Sequence, residues 1–182
     1  MLFRSVSLGT GLAFANRYRG NDNVSVTYFG DGAANQGQLY EAANMAALWR
    51  LPALYVVENN LYAMGTSVER GSANGHNFHR NLPAVPGLRV DGFSLLEVVA
   101  ATRFAKQFAA ERGPIVLNVM TYRYHGHSMS DPGVTYRNRQ EVSDYRKRSD
   151  CIKAAAQLLL DHDVLTAAEL EGLHEGIASE VE

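Results

Sequence analysis

Two short apolar runs with a helix-forming segment between them constrain the fold most strongly. Val24–Phe29 and Leu54–Val57 are rich in β-branched and aromatic residues and predict buried parallel strands, while Gln38–Arg50 predicts the helix that joins them. Such βαβ crossovers are right-handed and bring the carboxyl ends of both strands to one edge of the sheet. Open α/β sheets bind their ligands at that edge. The pattern therefore predicts an α/β fold with a ligand site where these strands end.

Polar residues follow both predicted strands. Gly30-Asp31-Gly32 comes directly after the first run, and Asn59-Asn60 follows the second. A carboxylate and a side-chain amide oxygen are hard ligands that suit Mg²⁺ or Ca²⁺. Backbone N–H groups just before a helix, here those of Gly32, Ala33 and Ala34, can bind phosphate oxygens. Each motif alone is also typical of an ordinary turn or loop, but together they predict a metal ion that bridges to a diphosphate.

The pair of motifs resembles the signature of thiamine-diphosphate enzymes. Gly30–Arg70 is similar to the family of alpha subunits of the pyruvate dehydrogenase component, and Tyr122–Gly133 (Tyr-Arg-Tyr-His-Gly-His-Ser-Met-Ser-Asp-Pro-Gly) resembles the phosphorylation loop of that family. The resemblance extends over nearly the whole chain. It implies a thiamine-diphosphate-binding fold of three layers, in which helices cover both faces of a parallel sheet.

The same resemblance implies that the chain is one piece of a longer domain. Residues 1–182 are expected to form a single thiamine-diphosphate-binding domain fragment, equivalent to the C-terminal half of the alpha subunit. Residues 1–5 do not read like the family and are expected to be non-native, whereas Glu182 is close to the usual end of the family. The N-terminal part of the domain, with its contacts to the aminopyrimidine and thiazolium, is expected to be missing.

Carried over to this sequence, the resemblance implies a set of site residues. Mg²⁺ is expected on Asp31, Asn60 and the backbone carbonyl of Tyr62. The cofactor is expected to contact five residues: Asp31, Gly32, Ala33, Asn60 and His127. His127 is also the expected catalytic residue, because the family's histidine contacts the diphosphate and orders the loop, and because histidine can move protons near neutral pH. The alternative for His127 is a loop histidine that is hydrogen-bonded to backbone. For His125, a role in the site and this alternative carry equal weight.

The resemblance further marks three hydroxyl side chains as phosphorylation sites. Ser128 matches the main regulatory position, Thr135 matches a second position where serine is more usual, and Ser67 matches a third. A phosphate at Ser128 adds a charge of about −1.5 to −2, which would repel a bound diphosphate and disorder the loop. An unmodified loop hydroxyl is the alternative for Ser67.

The implied activity is thiamine-diphosphate-dependent oxidative decarboxylation of pyruvate with reductive acetylation of a lipoyl group (EC 1.2.4.1), which links glycolysis to acetyl-CoA. The implied partners are a beta subunit in a heterotetramer, the lipoyl domain of the dihydrolipoyl acetyltransferase core, and a regulatory kinase and phosphatase. Alternatives are the alpha subunit of a branched-chain 2-oxo acid or acetoin dehydrogenase, and a non-catalytic Mg-diphosphate-binding or subunit-interaction fragment. A nicotinamide-binding domain is not favoured, because no Gly-x-Gly-x-x-Gly follows a strand.

Composition excludes few classes of function but agrees with this interpretation. A net charge of −2 predicts no general attraction to nucleic acid or an anionic membrane, and no apolar run approaches the roughly 18 residues of a membrane span. A single cysteine, Cys151, excludes an internal disulfide and is typical of a reducing compartment. The phosphorylation loop favours the mitochondrial matrix, with bacterial cytoplasm as the alternative.

The rest of the chain predicts more helices and strands around this unit. Helices are expected at 7–19, 36–50 and 94–111, with further helices from 140 onward, and strands at 87–91 and 115–121. Residues 36–50 can face the core or a subunit interface, and 59–70 are expected to form a loop. Residues 122–139, after a strand end, are expected to cover the site as a polar lid. His76 and His79 are expected to be surface histidines rather than metal ligands.

Overall fold

The computed structural model describes residues 5–181 and contains one four-stranded sheet and one small hairpin. The strands are β1 Ser25–Gly30, β2 Ala53–Asn59, β3 Tyr62–Ala63, β4 Thr66–Ser67, β5 Gly87–Asp91 and β6 Ile115–Met120. The α-helices are α1 Ser5–Arg19, α2 Gly37–Leu48, α3 Val68–Gly71, α4 Leu95–Arg112, α5 Arg139–Arg148, α6 Cys151–Asp161 and α7 Ala167–Val181. Apart from Ser5, the expectations for residues 1–5 and for Glu182 concern residues outside this described part.

All neighbouring strands of the large sheet are parallel, in the order β1-β2-β6-β5. The predicted βαβ unit is confirmed, since β1, α2 and β2 follow one another and β1 pairs with β2. The predicted strands at 87–91 and 115–121 extend the same sheet, because β6 lies between β2 and β5.

Helices cover both faces of this sheet, which confirms the predicted α/β fold. Side chains of β2 alternate between the two faces: Tyr55 and Val57 pack with α1 and α2, whereas Leu54 and Val56 pack with α4. Many of the buried helical residues are alanines, and they are Ala13, Ala42, Ala43 and Ala46 on one face and Ala105 and Ala109 on the other. Two larger residues, Val6 of α1 and Leu39 of α2, are also buried. The central strands read as continuous apolar runs because both of their faces are buried.

The predicted loop at 59–70 is wrong in part, because it contains the hairpin β3–β4 and the short helix α3. Strands of two residues are too short to produce a periodic pattern. The turns around them place Leu61 and Met64 at positive φ, 70° and 56°, a conformation that such side chains rarely adopt. Without glycine or asparagine at these positions, the sequence carries no signal for the hairpin.

Two buried asparagines connect the end of β2 to the segment before β5. Asn59 and Asn118 are both 0% exposed. The Asn59 Nδ2 donates to the Gly75 carbonyl at 2.8 Å and to the Asn118 Oδ1 at 3.2 Å, and the Asn118 Nδ2 donates to the His76 carbonyl at 3.0 Å. Because buried polar groups are stable only when hydrogen-bonded, this pair fixes the Gly75–Arg80 3₁₀ segment against the edge where β2 and β6 end.

The segment predicted to be a lid is folded and packs against α5. Residues 121–138 contain neither helix nor strand, but two of their tyrosines hold them in place. The Tyr122 ring stacks on Tyr145 with centroids 4.0 Å apart, and the Tyr124 hydroxyl donates to the Ser149 carbonyl at 2.7 Å. These contacts make the segment more structured than its polar composition predicts.

Several helices present apolar side chains to solvent. Helix α2 was expected to face the core or a subunit interface. Its alanines are buried in the core, whereas Met45 and Leu48 are exposed on another face. Phe14 of α1 contacts Trp49 with ring centroids 5.5 Å apart, which joins these exposed faces. The apolar residues of α4 are only partly buried, because Leu95 and Phe104 are exposed. Among the described residues, no helix combines the length and apolar character needed to cross a membrane.

Replacing Asn118 by alanine is expected to destabilise the chain by about 1–3 kcal/mol, because the His76 carbonyl loses its buried donor and Asn59 loses an acceptor. Urea unfolding measures this loss as a lower midpoint. Asn23→Ala, at an exposed turn residue, is the control. Equal midpoints for the two variants would show that the buried pair contributes nothing.

Candidate functional site

Asp31 is a buried carboxylate at the carboxyl end of β1. Its side chain and backbone together are only 3% exposed. Burial raises the pKa of the Asp31 carboxyl above its usual value, and this outweighs the N–H groups of Asp31, Gly32 and Asn60 and the charge of Arg123, which all act to lower it. The Asn60 N–H thus lies beside the Asp31 carboxylate, as the parallel strands predict. A buried carboxylate without a direct ion pair is a group that favours a cation.

Gly32 lies where no other residue fits. A Cβ added there would lie 2.7 Å from the Cβ of Ala63 in β3. The turn after β1 therefore touches the hairpin directly, because glycine removes the side chain that would separate them. Gly32 also directs its N–H at the Asp31 carboxylate, and Ala33 follows at the start of a 3₁₀ turn, Ala33–Asn35.

Asn60 and Tyr62 follow β2 at the sheet edge where Asp31 follows β1, and each offers an oxygen atom. The Asn60 Oδ1 accepts from the Tyr62 N–H at 3.3 Å, which orients the amide, and the Tyr62 carbonyl accepts from Arg123 Nη1 at 3.2 Å. A carboxylate, a side-chain amide oxygen and a backbone carbonyl are the ligand types of Mg²⁺ and Ca²⁺. Within residues 5–181 no group of three His, Cys, Asp or Glu side chains is placed to hold a metal ion, so a cation at this edge depends on such a mixed set.

Asp131 organises the lid segment. Its carboxylate accepts from the Tyr136 hydroxyl at 2.5 Å, from the His127 N–H at 2.7 Å and from the Gly133 N–H at 2.8 Å. These hydrogen bonds, together with the charge of Arg123, lower the pKa of Asp131 to about 2. The carboxylate is therefore ionised at any physiological pH and closes the segment into a tight turn.

His127 and His125 are exposed on that turn. In the described part of the chain, no hydrogen bond joins the His127 ring to Asp31 or Asn60, and its backbone N–H is bonded to Asp131. The His125 carbonyl accepts from Arg123 and from Arg137 Nη2, the latter at 2.9 Å. The structure therefore places the Asn60 N–H beside the Asp31 carboxylate and bonds Asn60 to Tyr62, while the histidine rings reach toward solvent from the neighbouring segment.

The three hydroxyl residues marked for phosphorylation differ in accessibility. Ser128 and Thr135 are exposed on the lid segment, and the Ser128 hydroxyl lies 3.0 Å from that of Ser130. Ser67 is half-buried between β4 and α3. A modifying enzyme therefore has freer access to Ser128 and Thr135 than to Ser67.

His76 and His79 occupy different environments. His76 is exposed, and its Nε2 lies 3.0 Å from the Glu69 Oε1. His79 is half-buried rather than on the surface, which corrects that part of the prediction. Burial, followed by the charges of Arg80 and Arg89, lowers the pKa of His79. Neither histidine contacts the oxygen set around Asp31.

Sequence reasoning assigned no role to Arg123, Arg137 or Asn118. Arg137 is 5% exposed, donates to the Arg123 and His125 carbonyls, and lies 5.3–5.6 Å from three tyrosine rings, those of Tyr62, Tyr122 and Tyr136. Signals for these roles exist in the sequence. Arginine next to tyrosine twice in one segment is typical of cation–π packing, and an asparagine inside an apolar strand indicates a buried hydrogen bond.

Comparison with known proteins shows the family to which this chain belongs. A family model described as the dehydrogenase E1 component matches residues 2–182. The chain belongs to the dehydrogenase E1 component family. It is 52% identical over 177 residues to pyruvate dehydrogenase E1 component subunit alpha-1, mitochondrial, from Oryza sativa subsp. japonica. The aligned residues are 97% of this chain and 45% of that relative. It is 48% identical over 178 residues to the human somatic alpha subunit, with shares of 97% and 45%.

A third relative gives the same picture of this E1 component chain. The mitochondrial alpha subunit from Solanum tuberosum is 53% identical over 168 residues, which are 92% of this chain and 43% of the relative. The chain thus spans slightly less than half the length of these relatives. The predicted resemblance of this chain to the family is therefore confirmed.

Replacing Asp31 by asparagine is expected to stabilise the chain without metal. A carboxyl whose pKa is raised by folding favours the native state below its ordinary pKa of 3.8, and that contribution is lost as pH rises through the higher folded pKa. At neutral pH the neutral amide therefore removes a buried charge, and stability rises by about 0.5–2 kcal/mol. Thermal unfolding at pH 4 and pH 8 measures it, and the gain is expected to be larger at pH 8.

Asp22→Asn is the matched control, because Asp22 is an exposed turn residue. A melting temperature of the Asp31 variant at or below that of the control would contradict a destabilising charge at this position.

Proposed function

We propose that the whole protein is the alpha subunit of a pyruvate dehydrogenase that uses thiamine diphosphate. The observation that supports this proposal is the buried Asp31 carboxylate at one sheet edge, beside the N–H of Asn60, which is itself hydrogen-bonded to Tyr62. The names of the relatives, which are pyruvate dehydrogenase alpha subunits, support pyruvate as the substrate over a branched-chain 2-oxo acid or acetoin. The reaction is oxidative decarboxylation of pyruvate, with the acetyl group passed reductively to a lipoyl group.

The residues of this chain bind and position the cofactor. When bound, thiamine diphosphate supplies the nucleophilic carbon and the electron sink for loss of carbon dioxide. Asp31, Asn60 and the Tyr62 carbonyl would hold Mg²⁺, whose charge would offset the buried carboxylate. Ala33 begins the 3₁₀ turn, where the first N–H groups lack partners inside the turn, so its N–H would bind the diphosphate. Gly32, whose N–H points at Asp31, would let the diphosphate approach the main chain because it has no side chain.

His127 provides the remaining contact of this chain with the cofactor. Its ring is exposed, and Asp131 fixes its backbone, so the ring is free to turn toward a diphosphate while the main chain stays in place. An imidazole ring carries an N–H group, so the His127 ring can donate a hydrogen bond to a phosphate oxygen or transfer a proton there. His127 is therefore the residue of this chain for which we propose a catalytic role.

The proposal includes further partners, of which the beta subunit is supported by the exposed surfaces and by the names of the relatives. A beta subunit completes the site in a heterotetramer, and the exposed apolar residues of α1 and α2, among them Phe14, Leu48 and Trp49, are suited to a subunit contact. The lipoyl domain of the acetyltransferase core receives the acetyl group. A kinase and a phosphatase act on the lid segment. The relatives are named mitochondrial proteins, which supports the mitochondrial matrix as the location.

Calorimetric titration with thiamine diphosphate and Mg²⁺ tests the proposed site. Binding is expected in the presence of a beta subunit, and Asp31→Ala is expected to weaken it by at least about tenfold, because a charged ligand interaction contributes about 1.5–3 kcal/mol. Asp22→Ala is the control and is expected to bind like the unmodified chain. Equal affinity in both variants would remove Asp31 from the site.

A phosphomimetic variant tests the role of the lid. Ser128→Glu is expected to reduce the activity of the assembled enzyme with a lipoyl acceptor by about tenfold or more, because the added charge lies next to the Asp131 carboxylate and to the proposed diphosphate. Ser179→Glu, on the exposed helix α7, is the control. Full activity of the Ser128 variant would count against regulation at this position.

A further inference from the structure

Arg123 has the most connected side chain at the edge of the sheet. Its guanidinium donates to four oxygen atoms: the Tyr62 carbonyl at 3.2 Å, the Met64 carbonyl at 2.7 Å, the Tyr136 hydroxyl at 2.8 Å and the His125 carbonyl at 3.3 Å. Two of these acceptors belong to the β3–β4 hairpin, and two belong to the lid segment. One side chain therefore connects two segments that are far apart in the sequence.

The hairpin needs such support because it is too short to hold its own shape. Its strands have two residues each, and an isolated hairpin is at best marginally stable in water. Arg123 lies three residues beyond the end of β6, a central strand of the sheet, so its main chain has a rigid base. The planar fork of the guanidinium binds the carbonyls of residues 62 and 64 together, which fixes the direction in which the Tyr62 carbonyl points.

The charge of Arg123 also acts on both carboxylates of this edge. It lowers the pKa of Asp31, where burial acts in the opposite direction, and it contributes to the low pKa of Asp131. The hydrogen bonds hold the guanidinium between the hairpin and the lid segment, where its charge acts on both carboxylates. A carbonyl oxygen has two lone pairs, so the Tyr62 carbonyl can accept from Arg123 and still bind a cation.

We infer that Arg123 is a positioning residue that orients the Tyr62 carbonyl toward the metal site and couples the hairpin at 62–67 to the lid at 121–138. The part that concerns the metal rests on the proposed function. The part that concerns the coupling of the two segments rests on the hydrogen bonds alone. Order in the lid and affinity for a divalent cation then change together.

Hydrogen exchange measured by mass spectrometry on the full 182-residue chain tests the coupling. Arg123→Gln is expected to raise exchange about tenfold or more in residues 62–67 and in residues 122–137, and to leave β6 and α4 unchanged. Arg123→Lys keeps the charge but loses the fork, so intermediate exchange is expected. Arg139→Gln, at an exposed arginine of α5, is the control. Unchanged exchange at 62–67 in Arg123→Gln would overturn the inference.

Titration with Mg²⁺ and thiamine diphosphate, with the beta subunit present, separates the two proposals. An increase of about tenfold in the Mg²⁺ dissociation constant of Arg123→Gln, with the Arg139→Gln value unchanged, supports the inference. If the unmodified chain binds no Mg²⁺ but both segments lose protection in Arg123→Gln, the coupling stands and the proposed function fails. If Mg²⁺ binding and exchange are both unaffected by Arg123→Gln, the inference fails and the proposed function stands.

Discussion

The register of the parallel strands is the constraint on which the site depends. Gly30 pairs with Glu58, and Asn59 pairs with Met120, so β1, β2 and β6 end at nearly the same level. Because side chains alternate along a strand, a shift of one residue would exchange the surroundings of Asn59 and its neighbour Asn60. In the observed register Asn59 is buried in the hydrogen-bonded pair with Asn118, and Asn60 lies at the edge beside Asp31. Two adjacent asparagines thus have different tasks, one structural and one at the site.

The sequence predicted the elements whose signal is local. The apolar runs of β1 and β2 identified the parallel sheet, and the polar residues directly after them predict a site at its edge, because strand ends must meet there. The predicted helix start at residue 94 is confirmed, because Ser94 caps α4 and its side chain accepts from the N–H of Glu97. Glu97 bonds to the N–H of Asp91 in β5 rather than to that of its own cap. Thr166 and Glu169 form both hydrogen bonds of a capping box.

The contacts that the sequence did not predict join residues that are far apart along the chain. Arg123 bonds to Tyr62 and Met64 across about 60 positions, and no spacing rule connects residues at such a distance. The sequence predicted a polar lid, because the arginines and the aspartate of this segment are hydrophilic. In the structure Arg137 is buried among tyrosine rings, which shows that a charged residue can form the core of a small segment when aromatic faces surround it.

The buried carboxylate of Asp31 lowers the stability of the fold at neutral pH, but it is suited to the cation of the proposed site. Desolvation disfavours its charged form, and the nearby N–H groups and Arg123 offset this only in part, since the pKa remains raised. A chain selected only for folding would place a neutral residue there. The carboxylate therefore makes physical sense when a cation supplies the missing charge, and the same argument explains why Arg123 binds carbonyl oxygens near the site rather than the Asp31 carboxylate itself. A direct ion pair would neutralise Asp31 permanently and remove the reason for a cation to bind.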